Sequence, residues 1–408
     1  MRKRTIWVAA VAALVFPASL AVPAAAGGVS AGAVTAGAVS AGAGAVYAPA
    51  AAVSAPNSPI AEQLLAGLPA ARVAAAEARA QLGLDESPLR SAVLDVIDPT
   101  QYECPTANPP VLDAITAGIQ DWTPDQRLAA TYAILFDIPM TEAVYLSTPG
   151  PYTFGAKGAY SKKALQTFKD LRGFWDIKSR DIQLVPAHGR MLLDQARVTK
   201  VFTTVYHQPA DLSANTAAFI AGQVGTAALK FGDAPLFTFN AYANSSEGVP
   251  TPGIGLVPDR IVVGDGVLDG FALVGLSDVT TQAIIGHEFG HHIQYEDGLF
   301  HSTLPAPEAT RRTELMADAF SAYFLTHRRG ENMKWGRVQD FVQVFAQVGD
   351  CGFTSPSHHG TPNQRTRAAL WGFGVAESAR RQGVILPSRV FAARFEKVLP
   401  TLVAPDAA

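Results

Sequence analysis

Two histidines four positions apart, with a glutamate directly after the first, constrain this chain more than any other feature: His287-Glu288-Phe289-Gly290-His291. Residues four apart share one face of an α-helix, so both imidazoles reach a single metal ion if the segment is helical. The flanks agree with that. Ser277 and Asp278 are helix-capping types, Gly298 is a helix-closing type, and together they predict a helix over 279–295. On it Glu288 lies one position round from His287, placed to hydrogen-bond a metal-bound water without displacing it as a ligand. With nine histidines in the chain, chance gives this pattern in about one such chain in a hundred. The plain alternative is an ordinary helix with exposed histidines, and His292 is read as one of those.

Two histidines do not hold a catalytic zinc, so a third ligand decides the class. A glycine and a histidine three and six positions after His291 would make a metzincin pattern. Here Gln294 and Asp297 occupy those places. Asp297 stays open as a minor candidate, weakened because no glycine is there to allow the sharp turn. The better candidate is Glu314, 23 positions after His291, within Thr313-Glu314-Leu315-Met316-Ala317-Asp318. This segment belongs to a helix predicted over 309–329, closed by Gly330, with Arg328 and Arg329 suiting its C-terminal dipole. Glu314 and Asp318 share a face, so one ligates while the other accepts the spare N–H of a ligand histidine. The competing reading of this pair is a solvated helix face.

The rest of the chain sets limits. Of its 67 charged side chains, the first 58 residues hold only Arg2, Lys3 and Arg4, so the remainder carries a net charge of −6. That balance gives no reason to expect a polyphosphate partner, because nucleic-acid binders show a basic stripe. An apolar share of 48% with 21 phenylalanines excludes wholesale disorder. No uncharged apolar run past residue 58 approaches the ~20 residues a bilayer crossing needs. Residues 1–26 read as an export signal: a basic start, an apolar stretch over 6–16, Pro17 and Pro23, and Ala24-Ala25-Ala26 before Gly27. Export without stable membrane insertion after cleavage is therefore expected. Residues 27–58 cycle through uncharged Ala-Gly-Ala-Val units and read as a flexible tether. In an exported chain Cys104 and Cys351 are expected to pair, closing a loop worth ~5 kcal/mol in the chain-entropy model.

Beyond the tether, Pro69 opens a predicted helix over 70–82 and Thr123-Pro124 another over 124–136. Thr148-Pro149-Gly150-Pro151 is the sharpest break, dividing a helical N-terminal region (59–150) from a larger C-terminal region (151–400). Strands are predicted over 182–185, 236–242 and 261–263, and a helix capped by Asp194 reaches Tyr206. This order lacks the regular alternation of a parallel sheet, which points to an α+β fold.

The two helices resemble the gluzincin metallopeptidases, in which H-E-x-x-H is followed on a second helix by E-x-x-x-D. The likeness is closer to the neutral zinc metallopeptidases of bacteria, in the run His287 to Gln294, in Glu314 to Asp318, and in His359-Gly360-Thr361-Pro362-Asn363-Gln364-Arg365. It covers roughly residues 235–375, and residues 59–230 match no family pattern. The resemblance implies a zincin-like core over 151–400 with one Zn²⁺ per chain on His287, His291 and Glu314. It implies Glu288 as general base and hydrolysis of a peptide bond in a protein or peptide substrate outside the cell. An oxyanion donor is also required, and His359, Arg365 and Tyr295 are the candidates. His358 and His359 read equally as surface residues of a loop. A strand ahead of the motif, 236–242 or 260–263, is expected to align the substrate. Two rivals remain: a zinc hydrolase of cell-wall amide bonds, and an exported zinc-binding protein without catalysis, whose site a fourth protein ligand would close.

Overall fold

The computed structural model describes residues 58–82, 109–147, 152–350, 358–380 and 383–404. The expected signal (1–26), the tether up to residue 57, the break at 148–151 and the Cys104–Cys351 pair lie outside these residues. The described chain is rich in helix around one three-stranded sheet, an α+β architecture.

Helix α1 (Pro59–Leu82) starts earlier than predicted. Ser58 Oγ accepts the Ala61 N–H at 3.2 Å, and Pro59 fills the first helical position, where a missing N–H is harmless. Pro69 is then carried inside the helix rather than opening it. Next come α2 (Pro110–Ala117), α3 (Pro124–Leu135) and α4 (Ile138–Tyr145). The predicted start of α3 is a full capping box: Thr123 Oγ1 accepts the Gln126 N–H at 3.2 Å, and Gln126 Oε1 accepts the Thr123 N–H at 3.0 Å. Helix α4 is buried along its whole length.

Helix α5 (Ser161–Phe174) leads into β1 (Gln183–Ala187). Asp194 caps α6 (Gln195–Lys200) by accepting the Arg197 N–H at 3.1 Å, and one wide turn, Val201–Val205, completes the predicted helix. Helix α7 (Ala210–Val224) comes next. The strand predicted over 236–242 is mostly absent. Pro235–Thr238 forms a 3₁₀ turn, and pairing begins only at β2 (Ala241–Asn244). The aromatic run is buried on all sides instead of alternately, with Phe237 stacked on Trp122 and Phe239 against Phe271. An apolar run of this length does not distinguish strand from buried turn. The turn presses on Gly266, where a Cβ would lie 1.8 Å from the Pro235 carbonyl oxygen.

Strand β3 (Arg260–Gly264) is central: parallel to β1, with Leu184 opposite Ile261, and antiparallel to β2, with Tyr242 opposite Val262. Strand β2 is therefore an edge. Helix α8 (Asp265–Leu273) leaves β3 directly. The motif helix α9 (Ser277–Asp297) outruns its predicted span at both ends, with Ser277 and Asp278 inside its first turn and Gly298, at φ 68°, closing it. Helix α10 (Ala306–Thr326) begins after Pro305 and ends before the predicted 329. His327 leaves the helix and donates from Nε2 to the Val384 carbonyl at 3.1 Å. Helices α11 (Trp335–Ala346), α12 (Pro362–Arg380) and α13 (Ser388–Leu402) complete the chain. One apolar core runs from Ala61 on α1 to Leu402 on α13, so elements before and after residue 150 share an interior. Among the described residues no helix is long and apolar enough to cross a membrane.

Candidate metal centre

The helical spacing that places His287 and His291 on one face of α9 turns both imidazoles toward Glu314 on α10. Their Nε2 atoms are 3.1 Å apart. Glu314 Oε2 lies 3.3 Å from His287 Nε2, and Oε1 lies 3.2 Å from His291 Nε2. Among the described residues this is the one group of three such side chains whose donor atoms all fall within 4.8 Å of one another.

The other ring nitrogens fix what these atoms can do. His287 Nδ1–H donates to Asp318 Oδ1 at 2.9 Å, and His291 Nδ1–H donates to Gln294 Oε1 at 3.0 Å. The Gln294 amide is itself oriented, because its Nε2–H donates to the Thr313 carbonyl at 2.7 Å. When each Nδ1 carries its ring's only proton, the two Nε2 lone pairs face each other beside a carboxylate. Two imidazoles and one carboxylate converging in this way fit a zinc ion.

A second ring of contacts holds the first. Arg365 on α12 grips Asp318 with both arms of its guanidinium, Nε to Oδ2 at 2.8 Å and Nη2 to Oδ1 at 2.7 Å, and donates from Nη1 to the Val348 carbonyl at 3.2 Å. Helix α12 starts with a capping box of its own, Thr361 with Gln364, at 3.1 and 3.2 Å. Just before it, Asp350 accepts from His358 Nδ1 and from the His359 backbone N–H, both at 2.6 Å. The third motif thus forms one device: its histidine and the His358 before it are held by Asp350, its threonine and glutamine start a helix, and its arginine secures Asp318.

Electrostatics follow from burial and neighbours. Burial pulls the His287 imidazole down, but Asp318 and Glu314 outweigh it and push it up to about 10. His291 is also raised, because the charge of Glu314 overcomes burial. Burial alone would raise Glu314, yet the nearby imidazoles of His359 and His291 hold it well below the usual carboxylate range. Glu288 moves the other way: burial raises it, partly offset by His287 and His291, while the Ala243 N–H of β2 donates to it. These are opposite environments for two acids of one type, one held ionised and one inclined to hold a proton.

The remaining expected residues fall in distinct places. Asp297 lies at the end of α9, ion-paired to Arg389 at 3.0 Å, outside the triad. His292 is fully buried rather than exposed: its Nε2 meets the Arg260 carbonyl at 3.1 Å, and burial lowers it to about 4. His358 and His359 are buried as well, not surface loop residues. Arg365 holds Asp318, behind His287, and its Nη2 also lies 3.7 Å from Glu314 Oε2. Tyr295 packs its ring 4.4 Å from Phe300, which in turn lies 6.2 Å from the His291 ring. Of the two strands expected to align a substrate, β3 is paired on both sides and β2 on one side only among the described residues. The sequence reading overlooked Gln294, Asp350, Phe300 and the Ala243 N–H. Only Gln294 carried a local signal, since three positions after His291 it shares that histidine's face.

Comparisons with protein-family models, with curated proteins and with solved structures give no match to this chain.

Proposed function

We propose that this chain is an exported, zinc-dependent metallopeptidase of the gluzincin type, with a zincin-like core, acting on protein or peptide substrates. One observation carries the reading: two imidazole Nε2 atoms and a carboxylate converge, each histidine's Nδ1–H is held by a side-chain oxygen, and a buried glutamate stands one position from the first ligand. His287, His291 and Glu314 would hold one Zn²⁺. When bound, the ion lowers the pKa of a ligand water and polarises a carbonyl. Glu288 accepts the proton of the attacking water and delivers it to the leaving amine. Its burial, which raises its affinity for a proton, suits a base that must hold that proton before releasing it. The edge strand β2, whose Ala243 N–H already bonds Glu288, is our choice for the backbone that lines up the substrate. His359 is our choice for the oxyanion donor, because Asp350 restrains it and it lies within electrostatic reach of Glu314.

The test is metal analysis of the purified protein combined with casein cleavage, with and without a chelator. One zinc per chain and chelator-sensitive cleavage support the reading. Zinc without cleavage of any peptide favours the exported binding protein. Cleavage confined to cell-wall peptide favours the amide hydrolase.

A further inference from the structure

A cleft of about 710 Å³ opens where α5 ends and the chain turns toward β1. Its lining includes Lys169, Arg172, Lys178 and Arg180, against one acid, Asp181. Four cations in one cleft contrast with a folded portion whose net charge is negative. All four are exposed and none makes a direct ion pair among the described residues, while Lys178 lies within electrostatic reach of Glu296. The other two acids of this stretch, Asp170 and Asp176, do not line the cleft. Asp170 accepts both its bonds from Gln166, at 2.9 and 2.8 Å, and Asp176 accepts the Ser388 N–H at 2.8 Å.

Two details make the cleft more than a charged surface. Arg172 is restrained, its guanidinium carbon 5.6 Å above the buried Phe168 ring, so part of the ordering cost of binding is already met. Ser179 is 5% exposed, lines the same cleft, and its hydroxyl has no hydrogen-bond partner among the described residues. Planar guanidinium groups and ammonium charges beside a free hydroxyl match the oxygens of a phosphate ester or anhydride. The volume is that of a small-ligand site.

We propose that this cleft is a binding site for a compact ligand bearing two or more phosphate groups. The overall charge balance gives no reason to expect a polyphosphate partner; this cleft is a local departure from that balance. The site is separate from the metal centre: it shares no residue with it and does not depend on the peptidase reading.

Gly173 supplies a clean test. It lines the cleft, is exposed, and a Cβ built there meets nothing within 4 Å. Gly173→Leu therefore adds bulk at the cleft wall with no clash at its Cβ, and in a helix it removes an unfavourable glycine. The probe is inorganic tripolyphosphate, titrated into the full chain by calorimetry at about 0.15 M salt, where exposed charges beyond ~8 Å are screened. One saturable site is expected. Arg172→Ala, Arg180→Ala and Gly173→Leu should each weaken it by about tenfold or more, since each removes or blocks a charge-assisted contact. A control pair, Arg328→Ala with Arg329→Ala, should leave it unchanged. Absence of saturable binding at that salt, or equal weakening by the control pair, overturns the proposal. So does full affinity in Gly173→Leu. Zinc content serves as the folding check, and its loss in the parent would count against the metal reading alone.

Discussion

Asp318 joins two requirements in one carboxylate: it accepts the His287 N–H that sets the ring's tautomer, and it balances the buried Arg365. Removing it frees an imidazole to rotate and leaves the buried Arg365 with only the more distant Glu314 carboxylate, 3.7 Å away. Asp318→Ala should therefore lose about 10–100-fold in zinc affinity, and also lose stability; Asp318→Asn, which can still accept one bond, should fall between. Zinc titration of the three proteins checks this, and unchanged affinity in Asp318→Ala would make the contact incidental. His287 makes a second claim testable. Its raised value means the metal-free protein keeps a proton that zinc must displace. Apparent zinc affinity should therefore strengthen steadily from about pH 6 to about pH 9, because the competing proton is fully bound below its pKa and leaves only as pH approaches it. The same shift stabilises the metal-free fold below the unfolded value near 6.5 and is lost as pH rises through about 10. Competition with a chromophoric chelator measures the affinity; a flat profile would contradict the displaced proton.

Helices α9 and α10 carry all three side chains of the triad, so their separation sets the gap between these groups. They approach closely because Gly290 faces Ala317, where a Cβ would lie 3.0 Å from the Ala317 Cα and 3.2 Å from its Cβ. Gly290→Ala must push backbone against backbone, at an expected ~1–3 kcal/mol. It should also weaken zinc, since Gly290 sits between Glu288 and His291. Thermal melts with and without zinc test the pairing, and a stable variant with normal affinity would disprove the tight fit. This element pair was largely legible in the sequence, because two ligands four apart and a second acidic pair four apart demand helices. What was not legible depended on distant partners. Helix α10 stops early because His327 turns to Val384, and the run at 236–242 coils because Trp122 and Phe271 bury it from two sides. His358 and His359 read as loop residues because Asp350, their anchor, has no periodic relation to them. The aromatic content of 236–242 announced burial, and the sequence supplied no information on which geometry would provide it.

The whole molecule explains why residues before 150 are present at all. Helix α4 is held against the sheet at both ends. Asp137, in the left-handed conformation at φ 44°, accepts from Asn240 at 3.1 Å and Tyr242 at 3.3 Å, and pairs with the buried Arg79 of α1. At the other end Arg260, the first residue of β3, donates to the Ala143, Val144 and Ser147 carbonyls at 2.8, 2.6 and 3.1 Å. The helical N-terminal region therefore braces the strands beside Glu288 instead of standing apart from them. Arg260→Met should cost ~3 kcal/mol by stranding those carbonyls. The full chain should melt in one transition, seen alike by circular dichroism and tryptophan fluorescence. A fragment of residues 152–404 alone, which uncovers the inner faces of the sheet, should fail to fold; a folded fragment with zinc would show the brace to be dispensable.

The most direct measurement is made on Glu288→Gln, which keeps the side chain's shape and removes its capacity to take a proton at neutral pH. Glu288 does not belong to the ligand triad, so the variant should bind one zinc with parental affinity and melt at the parental temperature. Its turnover on a protein substrate should nevertheless fall by at least ~100-fold, since positioned proton transfer contributes about 10²–10⁴. Parental turnover alongside parental zinc content would contradict the assignment of Glu288 as the base, and with it the mechanism proposed for this site.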